Sequence, residues 1–138
     1  MSSKPTFEAA NAEFYRAISR ADFDAMRRLW AVKLAVSCFH PGAAPLLSRT
    51  DILDSWRQIF IHGHPGEITF VPQQMTLIGG IGIACGLEVI GGGQIACTNL
   101  FAEEEGEWRM IHHQGGPVIP ANMRQSTRNP ESGPVTRH

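Results

Sequence analysis

The stretch IACTNLFAEEEGEWRMIHHQGGP, residues 95–117, decides the fold of this chain. Two runs of strand-forming residues flank the acidic, glycine-containing turn Glu103-Glu104-Glu105-Gly106-Glu107, which is the pattern of a β-hairpin. The second run ends in adjacent His112 and His113, and a strand sends adjacent side chains to opposite faces of its sheet.

Upstream of the hairpin the pattern stays strand-like back to Gly66. Ile68 to Ile78 is one run, broken by Gly79-Gly80, and Ile81 to Ile90 is a second, ending at Gly91-Gly92-Gly93. With Gln94–Glu103 and Glu107–Gln114 these runs predict a four-stranded antiparallel meander. Gly82 and Gly86 inside the second run mark bulges or close backbone approach, as a curved sheet needs. Before Gly66 the period is helical. Phe7, Ala10, Phe14, Ala17 and Ile18 give one apolar stripe over a helix from Thr6 to about Arg20. Asp22 caps a short second helix carrying Phe23, Met26, Leu29 and Trp30. A third starts near Thr50 or Asp51, presents Ile52, Leu53, Trp56, Ile59 and Phe60, and stops in His62-Gly63-His64-Pro65-Gly66. Leu34 to Phe39 is a short strand candidate running into Pro41-Gly42. Helices followed by a meander give an α+β class with helices on one face of a curved sheet.

A chain of 138 residues is expected to form one domain. The domain is placed at residues 1–122, and 123–138, with Arg124, Arg128, Pro130, Pro134 and Arg137, reads as a disordered tail or one draped on a neighbouring subunit. A net charge of −1 provides no field for nucleic acid or an anionic membrane, so neither is an expected partner. The apolar runs are broken by glycines and fall short of a membrane span. The N-terminal MSSKPTFEAANAEF lacks an apolar signal region, and three cysteines without CxxC spacing read as reduced thiols, so the expected location is cytoplasmic.

FYRAISRADFDAMRRLW (14–30), SCFHPG (37–42), SWRQIF (55–60) and CTNLFAEEEGEWRMIHH (97–113) together resemble the SnoaL-like branch of the nuclear transport factor 2-like superfamily, over about Phe7 to Pro117. The resemblance implies a cone-shaped α+β barrel with a pocket between the helices and the concave sheet face. It also implies a homodimer packed through the outer sheet face. In ketosteroid isomerase relatives a first-helix tyrosine and a late-strand acid form an oxyanion hole, and a first-strand aspartate is the base. Those positions fall here on Phe14, Asn99 and Cys38, with Tyr15 about a hundred degrees round the helix from Phe14. A steroid isomerase of the usual mechanism is therefore not expected.

What stands in their place is His40, His113 and Asn99, the candidate catalytic residues. By the resemblance, Phe14, Ile18, Cys38, Trp56, Phe60, Cys97, Phe101 and Ile111 line the pocket. The overlay turns Ile111 and His113 inward and His112 outward, and a one-residue slip exchanges the histidines. Imidazole suits proton abstraction next to a carbonyl, and an asparagine amide suits a developing enolate oxygen. The ligand this chemistry takes is a small apolar or carbonyl-containing molecule, with no cofactor. Cys38, His40 and His113 have neither HExxH nor CxxC spacing, His62-Gly63-His64 sits in a loop, and no metal is expected. Cys38 reads as an inert buried thiol rather than a nucleophile. Two functions follow: a lyase, isomerase or cyclase using a pocket histidine, or a non-catalytic module that binds a ligand or dimerises. An open cavity holding a base and an oxyanion donor favours the first, and a cone plugged by Phe14, Trp56 and Phe60 favours the second.

Overall fold

Short side-chain caps set the helix boundaries in a computed structural model that describes residues 6–119. The Thr6 hydroxyl accepts from the Ala9 N–H (3.1 Å) and starts α1, Phe7–Arg20. Ala21 ends it with a left-handed backbone, and Asp22 then accepts from the Ala25 N–H to start α2, Phe23–Leu29. Arg16 ties the corner together, reaching Glu13 at 2.7 Å and Asp22 at 3.1 Å. Helix α3, Arg49–His62, begins earlier than its sequence suggests because Ser48, rather than Thr50 or Asp51, takes up the cap. Arg49 also donates to the Arg27 carbonyl (2.6 Å), and Arg109 donates to that of Arg28, so two guanidiniums close the C-terminal end of α2.

The sheet has five strands rather than four. They are β1 (Ser37–Phe39), β2 (Thr69–Ile78), β3 (Ile81–Ile90), β4 (Gly93–Glu104) and β5 (Glu107–Pro117), in the order β1-β5-β4-β3-β2. The last four form the expected antiparallel meander, and β1 adds to β5 in parallel, with Cys38 opposite His113. Only three of the six residues from Leu34 to Phe39 join the ladder. The Glu104 carboxylate accepts from the N–H groups of Val32, Lys33 and Leu34 at 2.6–3.2 Å and turns that segment away. Glu104 is thus a bound anchor within what reads as a solvated acidic turn.

The inward row of β3 is Gly82, Ala84, Gly86 and Glu88, all buried. Its small residues let other groups press onto the strand. A Cβ at Gly82 would collide with the Phe7 ring, and one at Gly86 would meet the Val71 carbonyl at 2.5 Å and the Phe70 ring at 2.6 Å. Outside, the register aligns uncharged rows across β2, β3 and β4. They run Ile78–Ile81–Ala102, Thr76–Ile83–Leu100, Gln74–Cys85–Thr98, Val71–Leu87–Ala96 and Thr69–Val89–Gln94. No helix among the described residues is long and apolar enough to cross a membrane. The tail assigned to residues 123–138, and the domain boundary before it, lie outside the described residues.

Because the neighbours of Gly86 include backbone, Gly86→Ala is expected to cost about 2 kcal/mol of overpacking strain. A urea titration that leaves its midpoint at the wild-type value would refute this account of β3.

Candidate functional site

The cone interior is filled by rings. Phe14 packs on His113 at 5.0 Å between centroids and edge-on to Trp56 at 5.6 Å. Trp56 in turn touches His40 (4.9 Å), Phe60 (5.9 Å) and His113 (6.1 Å). Ile18, Cys38, Phe101 and Trp56 are buried with them, and Phe60 is half-buried against the cluster. Four concavities lie elsewhere on the molecule. They are a groove of about 610 Å³ between α1, α2 and the β4–β5 hairpin, and others of 520–540 Å³ beside the start of α1, between α1 and β2, and on the outer sheet face. His40, His113, Asn99, Phe14 and Trp56 line none of these four.

Asn99, fully buried on β4, is the hub of the polar groups inside. Its Nδ2 donates to Asn11 Oδ1 and to the Tyr15 hydroxyl, both at 2.9 Å. Its Oδ1 accepts from His113 Nδ1 at 2.6 Å. The Tyr15 hydroxyl passes its own proton toward Glu88 Oε2 at 2.6 Å and lies 3.4 Å from Cys97 Sγ. Asn99 and His113 therefore come together as neighbours across the β4–β5 ladder, but each occupies the other's polar atom.

Burial governs the protonation of this network. The His113 imidazole is pushed down to about 3 by desolvation first, then by repulsion from His40 and His112. His40 is lowered by desolvation alone. Desolvation raises Glu88 against the opposing hydrogen bond from Tyr15, which favours a neutral carboxyl. Burial also pushes the Cys38 and Cys97 thiols up to about 12, the range of inert thiols rather than nucleophiles. His40 Nε2 reaches Ser55 Oγ at 2.9 Å and Cys38 Sγ at 3.7 Å. Ser55 donates its own proton to the Ile52 carbonyl, so in that contact the imidazole is the donor. Cys38, His40 and His113 lie near one another, yet among the described residues no group of three or more His, Cys, Asp or Glu is set to hold a metal ion.

One of the inward residues, Ile111, packs against the core cluster from an irregular position. Between Leu100↔His112 and Phe101↔Met110 the register shifts by a residue, so Ile111 stands as a bulge without a partner opposite. The bulge changes the phase of the strand. Met110 and His113 are the buried residues of β5 there, and Ile111 is only half-buried. His112 faces the other way and hydrogen-bonds Ser37 Oγ at 2.7 Å. His64 lies in an exposed loop, as its sequence suggests, and donates to the Ile18 carbonyl at 2.7 Å, pinning the loop to α1. Asn11, Tyr15 and Glu88 are the network members that sequence reasoning left out. Asn11 interrupts the apolar stripe between Phe7 and Phe14, and Glu88 is the one charge in IGIACGLEVI, so both carried a visible signal.

A family model for the SnoaL-like domain matches residues 7–120. The chain belongs to that family. The SnoaL-like chain is 26% identical over 114 residues to the F-box protein SKIP8 of Arabidopsis thaliana, covering 80% of this chain and 49% of that protein. It thus spans about half the length of that curated relative. A provisional dehydratase of the NTF2-like family from Streptomyces avermitilis superposes with a TM-score of 0.73 at 25% identity, over 83% of this chain and 94% of that one. A provisional calcium/calmodulin-dependent protein kinase type II association domain from Thiobacillus denitrificans gives 0.69 at 29% identity, over 86% and 100%.

Two opposed pH dependences follow. His113 stays neutral in the fold down to about 3 but protonates near 6.5 when unfolded, so the unfolded state binds the extra proton and stability falls as pH drops below 6.5. Glu88 keeps its proton in the fold above its ordinary 4.5, so stability falls as pH rises above 4.5. Glu88→Gln is accordingly expected to exceed the wild type in urea midpoint at pH 8 and to match it at pH 4. His113→Gln is expected to flatten the wild-type decline between pH 6.5 and 5, and an unchanged slope would remove His113 as its source.

Proposed function

We propose that this SnoaL-like chain is a non-catalytic module that self-associates through the outer face of its sheet. The observation that carries this reading is the amide of Asn99. Both its donors and its acceptor are engaged by Asn11, Tyr15 and His113, so it has no hydrogen to offer a developing oxyanion. The histidine beside it is held far below the pH at which a general base works best. Phe14, Trp56 and His113 occupy the volume a substrate would need. Proton abstraction by His113 next to a carbonyl, the enzymatic alternative, is disfavoured on all three counts.

The outer face supports the second half of the proposal. Fifteen side chains on five cross-strand rows carry no charge, and Ile78, Ile81, Ile83, Leu87, Val71 and Leu100 are large apolar groups among them. In a two-fold interface each residue meets the same patch on its partner, so an uncharged face avoids like-charge repulsion. A relative named for an association domain and an F-box protein both fit a scaffold role. The Streptomyces avermitilis relative fits the enzymatic alternative instead.

Sedimentation equilibrium at micromolar concentration tests the proposal. The wild type is expected at twice the chain mass and Ile83→Glu at one chain mass, with the same far-UV spectrum. A monomeric wild type at tens of micromolar would refute self-association. Asn99→Ala is expected to lose roughly 3 kcal/mol of stability by orphaning its buried partners. A variant that keeps its stability would show that the amide does not hold the interior together.

One observation favours a second reading, a small ligand inside the cone. Trp56 Nε1 is buried and has no hydrogen-bond partner among the described residues. Native mass spectrometry of the purified protein tests this reading, since a retained small molecule lost in Trp56→Phe would support the ligand, and chains without added mass, single or paired, would refute it.

A further inference from the structure

We propose that the groove between α1 and β2 binds small uncharged carbonyl compounds, with Asn11 Nδ2 as the hydrogen-bond donor. This site lies apart from the ring-filled interior and does not depend on self-association. The groove encloses about 520 Å³, within the range of small-molecule sites. Its walls are Ala12 and Tyr15 from the helix and Phe70, Pro72 and Met75 from the strand. Tyr15 and Phe70 stack face to face at 5.0 Å and 21°, giving a flat apolar surface.

Asn11 and Thr69 both line this groove, and of the two Asn11 is the buried one. It is only 3% exposed, and its Oδ1 is drawn inward by Asn99 at 2.9 Å. Its Nδ2 has no hydrogen-bond partner among the described residues, although Asn11 lines the groove. An amide with two hydrogens free of partners among the described residues can donate to an acceptor that enters the groove. The Tyr15 hydroxyl cannot serve as a second donor because Glu88 takes its proton. Charge narrows the class of ligand. Glu8 lines the same groove, Glu88 lies behind Tyr15, and no Lys, Arg or His among the described residues lines it, so a carboxylate would meet acids without a compensating cation. An ammonium could pair with Glu8 at the groove wall, but it would present donors to the Asn11 Nδ2 donor. A ketone, ester or amide oxygen on an apolar body fits both constraints.

The test is a titration of the ¹⁵N-labelled full chain with acetophenone, ethylbenzene and benzoate, read at the side-chain amide of Asn11. Acetophenone is expected to shift that amide pair and to bind roughly tenfold more tightly than ethylbenzene, the margin of one hydrogen bond. Benzoate is expected to bind more weakly than acetophenone. Ala12→Trp, at an exposed position on the groove wall, is expected to abolish binding without lowering the melting temperature. Asn11→Ala is expected to erase the preference for the ketone over the hydrocarbon. Equal binding of acetophenone and ethylbenzene, or of acetophenone and benzoate, would overturn the proposal. So would acetophenone binding that survives Ala12→Trp, a readout that holds even where Asn11→Ala does not fold.

Discussion

The buried amide of Asn99 is the constraint on which the interior depends. It reaches α1 through Asn11 and Tyr15, β5 through His113, and β3 at one remove through Tyr15 and Glu88. A shift of β4 by one residue would put Leu100 in its place and leave those partners unmatched in a low-dielectric core. A turn of α1 about its axis would do the same by exchanging Tyr15 for Phe14. Apolar contacts tolerate many small rearrangements, whereas this set of distances admits one rotation of the helix and one register of the sheet.

That specification has a chemical consequence. A catalytic amide must have a hydrogen free for the oxygen on which charge develops, and a catalytic imidazole must titrate near the working pH. Asn99 and His113 instead satisfy each other, and the burial that strengthens their bond drives the imidazole toward permanent neutrality. Phe14, Cys38 and Asn99, which stand at the isomerase-like positions, are all fully buried.

How far this was legible depended on the length of the signal. The hairpin at residues 95–117 could be read because two long runs of period two flank a turn that needs glycine, and Gly106 does adopt a positive φ of 81°. The first strand was misjudged because the hydrogen bonds that end it come from Glu104, seventy residues downstream, and no local pattern encodes them. The bulge at Ile111 was invisible for a similar reason, since alternation along one strand does not record what its neighbour skips. Asn11 and Glu88 were different. Each breaks an apolar pattern at a position facing the core, and neither coincides with one of the three isomerase positions.

The distribution of side-chain size across β3 bears on the proposed role of the outer face. An antiparallel sheet with one wet side ordinarily turns its large apolar residues to the core and polar ones to water. Here the inward row is Gly82, Ala84, Gly86 and Glu88, and the outward row is Ile81, Ile83, Cys85, Leu87 and Val89. The inward positions can be small because Phe7 and Phe70 already reach the strand from that side. No such reason exists for the outward row in an isolated chain, where five apolar side chains in succession would form a patch of the kind that marks an interaction surface. Small residues inside and hydrocarbon outside would suit a strand with a core on both faces, and the self-association proposed above would complete that arrangement.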